Sequence, residues 1–363
     1  MSIDDKYFMH EAMLLAENGR GFVSPNPLVG AVIVKNNKII GRGYHKKFGD
    51  AHAEVNAFKN AKESVKGAKL YVTLEPCNYL EKKTPPCVPA IINAGIKEVV
   101  IGTLDCNPRV CNKGVADLRK AGIKVKVGVM RKEIEQQNES YLKYSQTNKP
   151  FVILKLGLSL DGRIATSSGE SKWITSPQSR KFGQEIRKQV DAILVGINTI
   201  LKDNPKLSCR IAPWKTLIRV ILDPNLTTPP HANVLKGICP ILIFADKNSR
   251  SVLLSEGKNL EVIRVDKDQE ELLSWDDILS ELAKRNIASV LIEGGAQVAS
   301  SALQSGVVDK LYLIYAPKIL GKGISFSDYL RLDGLKSALK LKDYKISRSG
   351  KDFILEAYVH RHN

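Results

Sequence analysis

The stretch Val72-Thr73-Leu74-Glu75-Pro76-Cys77 runs a β-strand pattern straight into a cysteine, and its flanks decide how it is read. Upstream stands His52-Ala53-Glu54, and downstream Thr84-Pro85-Pro86-Cys87. One imidazole and two thiolates are a zinc ligand set, and three protein ligands leave a fourth tetrahedral position for water. Zinc lowers the pKa of such a water toward neutrality. Glu54, two residues after His52, is then left off the metal and free to move protons.

Around this core the first half alternates helical and strand periods, as in a layered α/β domain. Asp4 or Asp5 can cap a first helix with Phe8, Ala12 and Leu15 on its apolar face and Gly19 at its C-terminal end. Strands are predicted at 29–35 and 38–44, joined at Asn36-Asn37, a pair that tolerates positive φ. A helix at 52–61, a strand at 69–74, a helix at 86–94, a strand at 98–103, a helix ending at Ala121 and a strand at 124–129 complete the set. His52 and Glu54 then share a first helical turn, Cys77 leaves a strand, and Cys87 opens a helix, where thiolate is favoured over thiol. A polar helical stretch, 131–144, leads to a boundary in Ser145-Gln146-Thr147-Asn148-Lys149-Pro150, giving domains 1–146 and 147–363. The second α/β set has predicted strands at 151–158, 192–195, 219–222, 241–244, 262–265, 289–292 and 310–315. Its helices are predicted near 179–188, 275–285 and 297–304, and no internal repeat relates the halves. Glu293-Gly294-Gly295 precedes the last of these helices, so its glycines and the helix N-terminus can approach a pyrophosphate.

Composition narrows the class. The 363 residues suffice for two domains with their own cores, and 43% apolar with 26% charged residues fits neither a disordered nor a membrane protein. No apolar run is of signal-peptide or membrane-spanning type, so a cytoplasmic protein without a membrane partner is expected. Six irregularly spaced cysteines do not make a secreted disulfide framework, and buried thiol is the expectation for Cys106, Cys111, Cys209 and Cys239. A net charge of +17 attracts nucleic acid, anionic membranes or phosphorylated small molecules without choosing among them. Its lysines are scattered, as at Lys46-Lys47, Lys82-Lys83, Lys340, Lys342 and Lys345, with few aromatics between, which favours a solvated surface over a nucleic-acid platform.

Both halves together resemble the bifunctional deaminase/reductase family of riboflavin biosynthesis. In the first half the resemblance is carried by Pro25-Asn26-Pro27-Leu28-Val29-Gly30, His52-Ala53-Glu54, 72–77 and 84–87. Nucleobase deaminases commonly space their cysteines as Cys-x-x-Cys, whereas nine residues separate Cys77 from Cys87, as in the riboflavin branch. In the second half it is carried by Lys155, Ser159-Leu160-Asp161-Gly162-Arg163-Ile164-Ala165, Ser171-Lys172-Trp173-Ile174-Thr175, Asp191-Ala192-Ile193, 203–207, Glu293-Gly294-Gly295 and Ala316-Pro317-Lys318.

The resemblance implies a cytidine-deaminase-like three-layer domain followed by a dihydrofolate-reductase-like domain. It implies zinc-dependent hydrolytic deamination of a diaminopyrimidinone bearing a phosphoribosylamino arm, then NADPH-dependent reduction of the ribosyl arm to ribityl. His52, Cys77 and Cys87 would hold zinc, with Glu54 as proton carrier, and Asn26, His45, Lys83, Asp105 and Asn107 would line the substrate pocket. Asn26 could equally be a turn residue, and His45 or Lys83 a solvated charge. Gly157, Trp173, Thr199, Asp203 and Gly295 would contact NADPH, while Ser171, Arg187, Leu207, Arg210 and Glu293 would hold the substrate. The two arginines suit phosphate forks, or surface salt bridges, and Lys155 is the candidate to handle a proton or orient the substrate. A homo-oligomer is also implied.

The chain departs from the family's pattern at Asn78-Tyr79, where Ser-His is usual, in a spacer to Cys87 one residue longer than usual, at Cys106 in place of a common proline, and at Cys111-Asn112 before Gly114. The pocket near the substrate is therefore expected to differ in shape. A deaminase acting on nucleic acid would fit the zinc signature and the charge, but leaves the second half unexplained. A catalytically silent relative would fit the altered loops, yet His52, Glu54, Cys77 and Cys87 are all retained.

Overall fold

The structure, a computed structural model, describes residues 3–78, 85–107, 111–250 and 259–360. The chain forms two compact units, Met1–Asn148 and Lys149–Asn363. In the first, α1 (Ile3–Glu17), β1 (Gly30–Lys35), β2 (Lys38–Tyr44), α2 (Ala53–Lys59), β3 (Lys69–Leu74) and α3 (Cys87–Asn93) are followed by β4 (Glu98–Thr103), α4 (Lys113–Lys120), β5 (Lys124–Val127), α5 (Arg131–Gln137) and α6 (Glu139–Thr147). The sheet runs β2-β1-β3-β4-β5, with β1 antiparallel to both neighbours and β3, β4 and β5 parallel.

Strand alternation explains the layers. Ala31, Ile33, Leu70, Val72, Val99 and Ile101 face Ala57 of α2, Ile91 of α3 and Leu118 of α4. The intervening Val32, Val34, Tyr71 and Val100 face Phe8, Met9 and Ala12 of α1 and Ile134 of α5. The expected three-layer domain is observed. At Gly43 a Cβ would lie 2.3 Å from the Ala53 carbonyl oxygen, so only glycine lets α2 rest directly on β2. That contact seats His52, the N-cap residue of α2, beside the sheet.

One expectation is corrected here. Ile3 is already helical, and Asp5 is not a cap but a buried carboxylate that accepts from the Tyr71 hydroxyl at 2.8 Å and pairs with Lys126. The polar helical stretch expected at 131–144 forms α5 and α6 within the first unit, which ends after α6.

The second unit contains β6 (Phe151–Ser159), β7 (Arg163–Thr166), α7 (Pro177–Gln189), β8 (Ala192–Gly196), α8 (Ile197–Asp203), β9 (Ile218–Leu222), β10 (Ile241–Asp246) and β11 (Leu260–Val265). It continues with α9 (Trp275–Lys284), β12 (Ser289–Ile292), α10 (Ala296–Gln304), β13 (Lys310–Ala316), β14 (Gly323–Ser325), β15 (Lys340–Ser349) and β16 (Asp352–His360). Among the described residues one sheet runs β11-β10-β9-β8-β12-β6-β13-β16-β15, parallel through β13 and antiparallel at β16 and β15, and β7 pairs separately with β14.

Both faces of this sheet are covered, which is why its strands read as apolar runs. Val152, Leu154, Leu156 and Leu158 of β6 pack with Trp275, Ile278 and Leu282 of α9 and Leu303 of α10. Phe151 and Ile153 pack on the other side with Ile186 of α7 and Ile200 of α8. The sequence reading misses β7, α8, β14, β15 and β16. In β15 nearly every residue is exposed, Lys340, Lys342 and Lys345 among them, so no buried face marks it as a strand. Lysines on such an edge discourage further strand pairing. Of the four unassigned cysteines only Cys209 is buried, and Cys106, Cys111 and Cys239 are half-buried.

Candidate functional site

In the first unit the three predicted ligands converge. His52 Nδ1 lies 3.5 Å from Cys77 Sγ and 3.2 Å from Cys87 Sγ, and all three ligand atoms lie within 4.8 Å of one another. A tetrahedral zinc with Zn–S of about 2.3 Å and Zn–N of about 2.0 Å separates N from S by roughly 3.5 Å, so the trio fits that ion. Cys77 is 9% exposed and Cys87 fully buried, and the Cys87 N–H points at Cys77 Sγ, 3.4 Å away, which favours thiolate there. Glu54 is buried against the same cluster, and burial pushes its carboxyl above the ordinary value, the His52 ring opposing.

The other residues expected at the substrate lie on two further loops. His45 Nε2 lies 3.2 Å from the Asn26 amide nitrogen, its Nδ1 lies 3.3 Å from the Ala51 carbonyl, and its ring meets His52 edge-on at 5.5 Å. Burial holds the His45 imidazole below its ordinary value, so in its neutral form Nδ1–H donates to Ala51 and Nε2 accepts from Asn26. Asp105 follows β4, whose Thr103 pairs with Leu74 of β3, so Asp105 and Cys77 leave the sheet at the same end. The Asp105 carboxylate accepts the Asn107 N–H at 2.9 Å. Lys83 lies outside the described residues.

Sequence reasoning gave no role to several residues that hold these loops. Glu75 is buried and accepts backbone N–H groups from Asp105 at 3.3 Å, Asn112 at 3.0 Å and Val115 at 3.2 Å, tying the loop after β4 to the cysteine loop. Its place beside Pro76-Cys77 was the available signal. Asn138 and Tyr141, near and on α6, had no signal, since their partners are remote in sequence.

In the second unit a cleft of about 810 Å³ opens at the C-terminal ends of β6, β8, β9 and β12, where parallel sheets bind ligands. Lys155, Gly157, Ser171, Trp173, Thr199, Asp203, Glu293 and Gly295 line it. Lys155 Nζ lies 2.9 Å from Glu293 Oε2, and Arg187 grips the same carboxylate through Nε at 2.8 Å and Nη2 at 3.1 Å. Burial alone would raise the Glu293 pKa, but the charges of Arg187 and Lys155 outweigh it and hold the carboxyl well below the usual range. Arg187 also donates to the Ser208 carbonyl at 2.8 Å.

Three predicted residues are absent from the lining of the cleft, Arg187 reaching it only through Glu293. Leu207 is buried in the core with φ 49°, and the exposed Arg210 contributes only a backbone N–H to Gln184, 2.8 Å away. Trp173 is 60% exposed, with the Arg180 guanidinium 4.5 Å above its ring, and Lys172 pairs with Asp203 at 3.1 Å; neither cation was anticipated. Gly294 is required by packing, since a Cβ there would lie 2.7 Å from Val298 Cβ. Gly295, the N-cap of α10, has open space before it. An unwalled helix N-terminus at the cleft fits a pyrophosphate, and so a dinucleotide.

A metal trio on a layered α/β unit, followed by a unit with a dinucleotide-sized cleft, defines a zinc deaminase joined to a reductase. The family model described as the cytidine and deoxycytidylate deaminase zinc-binding region matches residues 2–103, and the RibD C-terminal domain model matches residues 150–355. The riboflavin biosynthesis protein RibD of Aquifex aeolicus is 41% identical over 97% of each chain, and that of Bacillus amyloliquefaciens 42% over 97% of this chain and 96% of its own. The crystal structure of a diaminohydroxyphosphoribosylaminopyrimidine deaminase/5-amino-6-(5-phosphoribosylamino)uracil reductase from Thermotoga maritima superposes with a TM-score of 0.89 at 39% identity, covering 98% of this chain and 99% of that one. The chain belongs to the riboflavin biosynthesis protein RibD family.

Proposed function

We propose that the chain catalyses two successive steps of riboflavin biosynthesis. The first unit hydrolytically deaminates diaminohydroxyphosphoribosylaminopyrimidine. The second reduces the ribosyl chain of the deaminated product to ribityl with NADPH, giving 5-amino-6-(5-phosphoribitylamino)uracil. The observation that carries this reading is the His52, Cys77 and Cys87 trio with Glu54 buried beside it, on one chain with the Lys155–Glu293–Arg187 cleft.

When bound, zinc would supply an activated water and NADPH a hydride equivalent. His52 Nδ1, Cys77 Sγ and Cys87 Sγ would hold the metal. Glu54, beside the metal and not on it, would take a proton from the water, hand it to the ring nitrogen and later protonate departing ammonia. Asn26, His45, Asp105 and Asn107, with Lys83, would hold the pyrimidine and its arm. In the second unit the N-terminus of α10 would receive the pyrophosphate, with Gly157, Trp173, Thr199, Asp203 and Gly295 around the cofactor. Ser171 and Glu293, the latter gripped by Arg187, would hold the substrate, and Lys155, oriented by Glu293, would deliver the proton that balances the hydride. A homo-oligomer in the cytoplasm belongs to the same reading, supported by family resemblance; no helix among the described residues is long and apolar enough to cross a membrane.

The test supplies the diaminopyrimidinone ribosyl phosphate and NADPH to zinc-loaded protein and follows ammonia and NADPH absorbance together. Both signals should change, with about one zinc per chain. No change in either, with zinc bound, would sink the reading.

A further inference from the structure

The segment between the two matched family regions, residues 104–149, carries α5 and α6. Asn138, between them, and Tyr141 on α6 bond two loops that carry predicted substrate residues, the Leu28 loop and the loop after β4. Asn138, between the two helices and 3% exposed, clamps the backbone of Leu28 from both sides: its Oδ1 accepts the Leu28 N–H at 2.8 Å, and its Nδ2 donates to the Leu28 carbonyl at 3.0 Å. Leu28 ends the Asn26-Pro27-Leu28 loop, and Asn26 bonds His45, whose ring packs on the ligand His52. One turn further on, the Tyr141 hydroxyl donates to Asp105 Oδ1 at 2.7 Å. On the same side, the Thr103 hydroxyl donates to Glu135 of α5 at 3.1 Å, and the Cys106 thiol faces the Leu142 carbonyl at 3.8 Å.

The Asp105 backbone N–H bonds Glu75, two residues before the ligand Cys77, which ties Asp105 to the loop that carries that ligand. The Asp105 carboxylate accepts from the Tyr141 hydroxyl and the Asn107 N–H, both on Oδ1. A neutral amide and a phenol can set these geometries without adding charge beside the metal. Burial and the Asp105 carboxylate push the Tyr141 phenol far above its ordinary pKa, so it remains a donor.

We propose that the α5–α6 segment is a positioning element of the deaminase site, Asn138 fixing the loop that carries Asn26 and Tyr141 fixing the carboxylate of Asp105 against the substrate. The proposal rests on the deaminase reading above. Neither residue touches the metal trio or Glu54 in this arrangement, so their loss should weaken substrate binding and leave the proton path intact.

Tyr141→Phe and Asn138→Ala, made in the full zinc-loaded chain, test it against the diaminopyrimidinone ribosyl phosphate by ammonia release. We expect KM for deamination to rise about tenfold or more in each variant, with kcat within about twofold of the parent and about one zinc retained per chain. Unchanged KM in both variants with an active parent would overturn the proposal alone. A fall in zinc content that accounts for lost turnover, with KM unchanged, would also overturn it, since the α5–α6 segment would then serve folding only. An inactive zinc-loaded parent would overturn both this and the deaminase reading.

Discussion

Replacing Glu293 by Gln removes the negative member of a cluster whose two cations stay behind. Three charged hydrogen bonds meet at that carboxylate, from Lys155 at 2.9 Å and from Arg187 at 2.8 and 3.1 Å, and the three side chains are only 12%, 19% and 16% exposed. Summing about 1.5–3 kcal/mol for each bond would overcount, because burying the ions also costs free energy. The relevant figure is the cost of leaving buried charge unpaired, about 3–5 kcal/mol, and the cleft admits water, so about 3 kcal/mol is expected. For a unit of this size that corresponds to a fall of roughly 6–12 °C in Tm, or roughly 1 M in urea midpoint.

The assay is selective because all three tryptophans, Trp173, Trp214 and Trp275, lie in the second unit, Trp275 being 4% exposed in its core. Their fluorescence during urea unfolding reports that unit and not the metal unit. The depressed folded-state pKa of Glu293 sets the pH dependence. A lowered carboxyl pKa contributes stability above the unfolded value of about 4.3, and the contribution is lost as pH falls toward the folded value. The gap between parent and Glu293→Gln should hold from about pH 5.5 to 8 and narrow below about pH 4. A midpoint within about 0.3 M of the parent at pH 7, with unchanged slope, would refute the claim that this carboxylate holds the two cations in place.

Glu54→Gln should lower ammonia release by about two to four orders of magnitude while leaving NADPH oxidation by the deaminated intermediate intact; loss of both in a folded variant would contradict separate sites. Gly294→Ala puts a Cβ 2.7 Å from Val298 Cβ, so KM for NADPH should rise and the second unit should lose about 1–3 kcal/mol, with deamination unchanged. Burial and the neighbouring Asp105 push the Cys106 thiol up to about 11, so peptide mapping after iodoacetamide at pH 8 should find it alkylated about two orders of magnitude more slowly than an unstructured thiol. Labelling at the ordinary rate would show that the thiol is not held between Asp105 and α6.

The metal trio was legible because ligand chemistry restricts residue type. His52, Cys77 and Cys87 each stand where a helix starts or a strand ends, and those ends leave a mark in the sequence. Strands such as Lys69–Leu74, Glu98–Thr103 and Ser289–Ile292 were legible to the residue because both faces are buried. Where burial fails, periodicity fails with it. The edge strand Lys340–Ser349 is exposed along most of its length, and in α8 only Ile200 is buried. The cleft of the second unit was legible through Lys155 and Glu293, but the Arg180 cation over Trp173 was not, because it arises where two segments meet in space.

The loops that carry the other expected substrate residues were the least legible part, and the reason lies in how their polar groups are satisfied. Asn138 bonds Leu28 from 110 residues away, Tyr141 bonds Asp105 from 36, and Glu75 bonds Val115 from 40. A buried polar side chain needs a partner, but the partner can come from anywhere, so hydrogen bonding leaves no period in the sequence. In α5 and α6 the outcome is a stretch that looks like solvated surface, while only Ile134 and Asn138 mark its buried side. Substitutions should therefore divide by mechanism. Changes in the histidine and cysteines should alter metal occupancy, and changes in the α5–α6 segment should alter substrate affinity with the metal still in place. The altered Asp105-Cys106-Asn107 loop belongs with the second group, since Glu75, Tyr141 and Leu142 all bond it.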